Sequence, residues 1–230
     1  GTLHAAPGLS SVAHGRIVSL DLSAVRAAPG VRAVIVAADI PGHNNCGAAV
    51  HDDPILAAGE VSFHGQPLFA VAADTREQAR YAARLAKVEI DALPALLTVE
   101  DALAADSHVL PPVEISRGDV AAALASAPHR LAGTLHLGGQ EHFYLEGQVS
   151  LAIPQEDDSL HLVSSTQHPT EIQHVVAHAL GWRMHQVSCE CRRMGGGFGG
   201  KESQAAQWAC IAAVLARLTG KPVKLRLDRD

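Results

Sequence analysis

Residues 193–202 read RMGGGFGGKE, and this glycine-rich stretch decides how the second half of the chain is interpreted. Five of the six residues from Gly195 to Gly200 are glycine. Such a run is favoured where the backbone must take a positive φ or approach a ligand closely. QVSCECRR before it predicts a strand, and KESQAAQWACIAAVLARLTG after it predicts a helix that ends at Gly220. The loop is therefore expected to present backbone N–H groups to an acceptor.

The loop sequence also matches one nucleotide-binding pattern in full and a second one in part. Gly195, Gly197 and Gly200 fit the GxGxxG fingerprint, but the preceding strand carries charged residues where a Rossmann strand is buried and apolar. Gly195, Gly200 and Lys201 fit the phosphate-binding P-loop pattern. That pattern requires Ser or Thr for Mg²⁺ where this chain has Glu202, and a carboxylate there would repel phosphate. A nucleotide-binding module that uses the loop remains the alternative from a different functional class.

The rest of the second half predicts alternating strands and helices. PTEIQHVVAHALG has the spacing of an amphipathic helix, with Pro169 suited to its first turn and Gly181 to its end. QEDDS, residues 155–159, predicts a turn between two antiparallel strands. The segments that predict strands are HRLAGTLHLG (129–138), GQVSLAIP (147–154), LHLVSST (160–166) and PVKLRLD (222–228).

The first half predicts a compact α+β unit. Asp74 or Thr75 is the candidate N-cap of one helix, whose alanines recur at helical spacing. The predicted strands are GRIVSLDL (15–22), VRAVIVAAD (31–39) and GQPLFAVAAD (65–74). Several prolines and one short helix, DVAAALASA, indicate a connector. The predicted organisation is therefore α+β, with one domain over residues 1–91, a connector over 92–128 and a second domain over 129–230.

Composition excludes several kinds of partner. The net charge is −6 and the basic residues are scattered, which argues against nucleic-acid binding. No apolar run is long enough to span a membrane. The four cysteines do not form a disulfide framework or a zinc-like pattern, so reduced thiols and a cytoplasmic location are expected. The 14 histidines are scattered, and there is no HExxH motif.

Three motifs in one order, GQEHFYLE (139–146), STQHPTE (165–171) and RMGGGFGGKE (193–202), resemble the molybdenum hydroxylase family. The similarity is greatest to the molybdenum-binding large subunit of xanthine dehydrogenases. The resemblance covers essentially the whole chain and implies a small hammerhead-type α/β domain, followed by the first part of a molybdopterin-binding α+β domain. It also implies that Phe143 and Tyr144 are buried near the cofactor.

The resemblance implies roles for five residues. Gln167 matches the glutamine that hydrogen-bonds an oxo ligand of molybdenum, and Gly197, Phe198 and Gly199 match the loop that contacts the cofactor. Glu202 matches the substrate-binding glutamate, so Gln167 and Glu202 are the expected catalytic residues. No residue here is expected to ligate molybdenum directly. The residues alone leave other roles open, since Gln167 could cap the following helix and Glu202 could complement a helix dipole.

The implied function is part of a molybdenum-dependent hydroxylase that oxidises purines, hypoxanthine or xanthine to urate, with water as the oxygen source. An aldehyde-oxidising relative is the close alternative. The implied cofactors are molybdopterin with molybdenum, and iron–sulfur clusters and FAD on a partner chain or domain. The expected partners are the iron–sulfur/FAD subunit, the remainder of the molybdenum subunit and the purine. The family's general base is expected beyond Asp230, so this chain alone is expected to be inactive.

Overall fold

The computed structural model describes residues 1–228, and Arg229 and Asp230, which end the predicted second domain, lie outside it. The strands are β1 Leu3–Leu9, β2 Gly15–Asp21, β3 Val31–Val36, β4 Glu60–Val61, β5 Pro67–Ala73, β6 Lys87–Ala92, β7 Val149–Pro154, β8 Leu160–Ser164, β9 Val187–Glu190 and β10 Val223–Arg226. The helices are α1 Ser23–Ala27, α2 Arg76–Ala83, α3 Val99–Ala104, α4 Val120–Ser126, α5 Pro169–Leu180 and α6 Gln204–Thr219. Short 3₁₀ helices cover Ala37–Asp39 and Met184–Gln186.

The described chain folds into two compact units. Gly1–Pro94 and residues 142–228 make the first unit, and Ala95–Glu141 makes the second. The first unit contains a seven-stranded sheet in the order β3-β5-β1-β10-β7-β8-β9 and a three-stranded sheet in the order β4-β2-β6. The larger sheet joins strands from both sides of the predicted connector. The domain limits at 1–91, 92–128 and 129–230 stay a prediction.

Both faces of the seven-stranded sheet are covered, which accounts for the all-apolar sequence of β5. Its side chains alternate, with Ala70 and Ala72 in the core beneath α5 and α6, and Phe69 and Val71 in the core beneath α1 and α2. Helix α6 packs against both the sheet and α5, which itself contacts β9, and α6 is buried on nearly every side. Its many alanines allow this close approach on both faces.

Local signals at the helix ends are confirmed. The Thr75 side chain accepts a hydrogen bond from the Gln78 backbone N–H and caps α2. Pro169 occupies the first turn of α5, and Gly181 ends that helix in the left-handed conformation with φ 66°. Gly220 ends α6 in the same way with φ 63°. The turn at residues 155–159 joins antiparallel β7 and β8, as predicted.

One predicted strand is absent from the structure, and one observed strand was not predicted. HRLAGTLHLG contains no strand in the structure, and its Leu131 and Leu135 side chains are exposed. Its unit, Ala95–Glu141, has no described strand with which it could pair. Conversely, LHAAPGL forms β1 although no strand was predicted there. Pro7 and Gly8 disfavour a central strand, but they lie beyond the stretch of β1 that pairs with β10, so they weaken only one of its two neighbouring ladders.

No helix within residues 1–228 is long and apolar enough to cross a membrane.

Limited proteolysis is expected to cut the chain first between residues 92 and 128. Val109, Val113 and Ile115 in this segment have more than four-fifths of their surface exposed, so little packing resists local opening. N-terminal sequencing and mass spectrometry of the first fragments check this result. First cleavage within VVAHALG (175–181), which lies in the buried helix α5, would contradict the predicted connector.

Candidate functional site

The glycine loop runs from the end of β9 to the start of α6 and contains three residues in the left-handed region. Gly196 has φ 90°, Phe198 has φ 53° and Gly199 has φ 93°. Positive φ costs little for glycine but is strained for phenylalanine, and the Phe198 side chain is also exposed. Strained residues of this kind concentrate at ligand-binding sites, so the loop is the leading candidate.

Gln167 lies just after β8 and is fastened to this loop. Its Oε1 accepts hydrogen bonds from the Gly199 N–H at 3.0 Å and the Lys201 N–H at 3.2 Å. Its own backbone N–H donates to the Lys201 carbonyl at 2.8 Å. With the amide oxygen held by the loop, the NH₂ group is the part of the side chain left to donate to a ligand.

The structure does not give Gln167 the role of a helix cap. Helix α5 has His168 at its N-cap position, and no side-chain hydrogen bond caps that end. The Gln167 side chain turns instead towards the loop that follows β9.

Gly197 is buried, and any side chain there would collide with the Gln167 amide in its present position. A Cβ added there would lie 2.4 Å from Gln167 Oε1 and 2.7 Å from Gln167 Cδ, far inside van der Waals contact. The backbone of the loop therefore approaches the glutamine amide without an intervening side chain. Gln167, Gly197 and Gly199, which the resemblance had grouped, come together in one place, with Phe198 exposed beside them.

Three side chains that the sequence did not single out lie beneath the loop, and we call them the lysine cluster: Glu146, Ser165 and Lys201. Lys201 is fully buried, and its Nζ lies 3.0 Å from Glu146 Oε2 and 2.7 Å from Ser165 Oγ. The same ammonium lies 4.7 Å from the centre of the Tyr144 ring, a cation–π contact. Glu146 also accepts a hydrogen bond from the Gly195 N–H at 3.0 Å.

The electrostatics of the lysine cluster favour ionised Glu146. Partial burial of the carboxyl opposes ionisation, but the Ser165 hydroxyl, the Gly195 N–H and the Lys201 ammonium together outweigh it. The pKa of Glu146 is therefore lowered below its ordinary value. An ionised carboxylate can hold the ammonium and the loop N–H at once.

The two aromatic residues of GQEHFYLE differ in environment. Phe143 is exposed, so its expected burial is wrong, and it takes a positive φ of 48°. Tyr144 is half-buried, and its ring lies against the loop, since a Cβ on Gly200 would be 2.6 Å from Tyr144 Cε1. Gln148 joins this contact by donating to the Tyr144 hydroxyl at 3.0 Å and to the Gly200 carbonyl at 2.9 Å.

Glu202 is exposed at the end of the loop, ahead of helix α6. The helix begins at Gln204 with Ser203 as its N-cap, and its first turn contains no acidic residue. Glu202 therefore lies outside the turn in which a carboxylate best complements the helix dipole. Its charge remains available to another group.

The α+β fold thus places the Gln167 amide against the glycine loop between β9 and α6. Comparison with known families gives the class. A model described as "Molybdopterin cofactor-binding domain" matches residues 103–230. Another, described as "Aldehyde oxidase and xanthine dehydrogenase, a/b hammerhead domain", matches residues 1–94. The chain belongs to the molybdenum hydroxylase family, and the resemblance noted from its three motifs is confirmed.

Individual relatives extend over the whole chain. Xanthine dehydrogenase of Dictyostelium discoideum is 40% identical over 100% of this chain, and aldehyde oxidase 2 of Rattus norvegicus is 42% identical over 96%. The solved structure of quinoline 2-oxidoreductase from Pseudomonas putida 86 covers 100% of the chain at 29% identity with a TM-score of 0.85. The chain spans only 17% and 16% of the two curated relatives and 31% of the solved chain. The predicted combination of a hammerhead domain with part of a molybdopterin-binding domain is confirmed.

Proposed function

We propose that this chain forms part of the cofactor-binding subunit of a molybdenum hydroxylase, in which Gln167, Gly197, Phe198 and Gly199 line the site of molybdopterin with its molybdenum. The observation that carries the proposal is the double hydrogen bond from the Gly199 and Lys201 N–H groups to Gln167 Oε1. It fixes the direction of the amide and leaves its NH₂ group to donate to the bound group.

The residues fit such a cofactor. Oxygen-rich groups require donors at close range. The Gln167 NH₂ group is such a donor, and the glycines let a bound group approach the loop backbone without intervening Cβ atoms at Gly197 and Gly199. Gln167 donates without adding a charge, and the Lys201 ammonium beneath the loop is fully buried and paired with Glu146. None of the proposed residues ligates the molybdenum.

When bound, molybdopterin supplies the redox centre that oxidises a carbon of the substrate. The chain's own residues orient the reaction, with the Gln167 amide donating towards the cofactor and the Glu202 carboxylate holding the substrate. We propose a purine substrate, hydroxylated with water as the oxygen source (hypoxanthine or xanthine to urate). The exposed Glu202 supports this choice, since a carboxylate accepts hydrogen bonds from the ring N–H groups of a purine. An aldehyde offers no such donor.

The proposed enzyme works with other polypeptide. The named relatives are about six times longer than this chain. We propose that the remainder of the molybdenum subunit supplies the general base. Iron–sulfur clusters and FAD on a partner chain or domain receive the electrons. A cytoplasmic location belongs to the same proposal.

We call the complete molybdenum hydroxylase that contains this chain the parent enzyme. After purification it is expected to contain molybdenum and an oxidisable pterin in equal molar amounts. The Gly199→Val variant is expected to lose most of both, because a branched side chain at φ 93° strains the loop and displaces the N–H that holds Gln167 Oε1. Elemental analysis and pterin fluorescence after oxidation measure the two contents. Gly138→Ala is the matched control, since its Cβ would meet open space. Wild-type enzyme with neither component, or a Gly199→Val variant with full content, would overturn the proposal.

A further inference from the structure

The Lys201 ammonium is the most deeply buried charge described in the structure, and its surroundings are polar on several sides. Its side chain has no exposed surface, and its Nζ contacts Glu146, Ser165 and the Tyr144 ring. Burying a charge is costly unless it is paired and hydrogen-bonded. A lysine kept in such a position indicates a function for the charge beyond filling space.

A nucleophilic role for the pair of Ser165 and Lys201 is excluded by burial. The 2.7 Å contact between Ser165 Oγ and Lys201 Nζ has the geometry of an activated serine. However, Ser165 is only 4% exposed and donates its hydroxyl hydrogen to Glu146. The buried oxygen is closed to a substrate, and its hydrogen is already donated to the Glu146 carboxylate.

The lysine cluster joins three separate segments of the chain around the loop. Glu146 precedes β7, Ser165 follows β8, and Lys201 ends the loop itself. Through Glu146 Oε2 the ammonium also holds the other end of the loop, because the same oxygen accepts the Gly195 N–H at 3.0 Å. Both ends of the glycine run are thus tied to one carboxylate oxygen.

The backbone of Lys201 continues the connection to Gln167. Its N–H donates to Gln167 Oε1, and its carbonyl accepts the Gln167 N–H at 2.8 Å and the Thr166 hydroxyl at 3.1 Å. Any movement of Lys201 therefore moves one of the two N–H groups that hold Gln167 Oε1 and the carbonyl that anchors the Gln167 backbone.

We propose that Lys201 is a positioning residue for the cofactor site: its buried ammonium, through Glu146, fixes the path of the glycine loop and thereby aims the Gln167 NH₂ group. This inference rests on the proposed function. Lys201 touches neither cofactor nor substrate in this role. Its effect is transmitted through Glu146 to Gly195 and through its own backbone to Gln167.

The test compares the parent holoenzyme with its Lys201→Met variant, which keeps the length of the side chain and removes the charge. We expect molybdenum content within about 2-fold of wild type, and kcat for both a purine and an aldehyde reduced about 10- to 100-fold, with KM changed much less. The electron paramagnetic resonance spectrum of the molybdenum is expected to change in the same way as in Gln167→Ala. Lys224→Met, an exposed charge removal on β10, is the matched control.

A second variant covers the case in which Lys201→Met does not fold. Glu146→Gln/Lys201→Met removes both charges together, which is tolerated better than leaving one unpaired. It is expected to show the same spectral change. A wild-type spectrum and kcat in the variant that folds, with only thermal stability reduced, would show that the lysine cluster is structural and overturn the inference. Wild-type enzyme without molybdenum would instead refute the proposed function itself.

Discussion

Replacing Gly197 by Ala is expected to lower turnover of every substrate of the parent enzyme by about 100-fold while leaving the fold intact. The added Cβ would lie 2.4 Å from Gln167 Oε1, and the glutamine is the flexible partner, so its amide must move away. It then loses its hydrogen bonds from Gly199 and Lys201. A displacement of about 1 Å in a positioned group can cost on the order of 100-fold in rate.

Three measurements check the Gly197→Ala prediction. Steady-state kinetics with a purine and with an aldehyde should show similar losses, because the proposed partner of the displaced amide is the cofactor and not the substrate. Thermal unfolding should show only a modest loss, about 1–3 kcal/mol for the hydrogen bonds that are broken. Gly133→Ala, where a Cβ meets open space, is the control. Wild-type turnover in Gly197→Ala would show that the amide has no role in catalysis.

The double variant Gly197→Ala/Gln167→Ala isolates the proposed cause. If Gly197→Ala acts only by displacing the amide, adding it to Gln167→Ala should cost little further activity. Fully additive losses would mean that the loop backbone, and not the glutamine, is what the extra methyl group disturbs.

Much of the fold could be predicted where the signal is local. The N-cap Thr75, the first-turn Pro169 and the left-handed Gly181 and Gly220 mark helix ends through their own backbone chemistry. The two segments whose strand predictions failed, LHAAPGL and HRLAGTLHLG, depend on pairing with strands that are distant in the sequence. β1 is a strand because β5 and β10 lie on either side of it, and β10 follows it by more than 200 residues. HRLAGTLHLG has the alternation of a strand but no partner within its own unit.

The candidate site also has one part that could be predicted from the sequence and one part that could not. The glycine loop and Gln167 could be found from motifs, because close backbone approach demands glycine at particular positions. In the sequence, Lys201 is notable only because it fits the lysine position of the P-loop pattern. Its burial depends on Glu146 and Ser165, which lie 55 and 36 residues away in the chain. No local pattern reports that a lysine faces inwards, so the lysine cluster required the structure.

Replacing Glu202 by Ala is expected to lower purine turnover by about 10- to 100-fold and to leave turnover of a small aromatic aldehyde nearly unchanged. A hydrogen bond to a charged group contributes about 1.5–3 kcal/mol, which corresponds to that range if it is realised in the transition state. The aldehyde has no ring nitrogen for the carboxylate to hold. Gln167→Ala should differ by slowing both substrates.

The position of Glu202 argues against the main competing explanation for a Glu202 effect. A carboxylate in the first turn of α6 would stabilise the helix, and its loss would then weaken every activity equally. Glu202 instead precedes the N-cap Ser203 and is exposed. Kinetics with both substrates, at unchanged molybdenum content and unchanged thermal stability, therefore measure substrate binding directly. Equal losses for purine and aldehyde would show that Glu202 supports the loop and that the purine assignment has no basis in this residue.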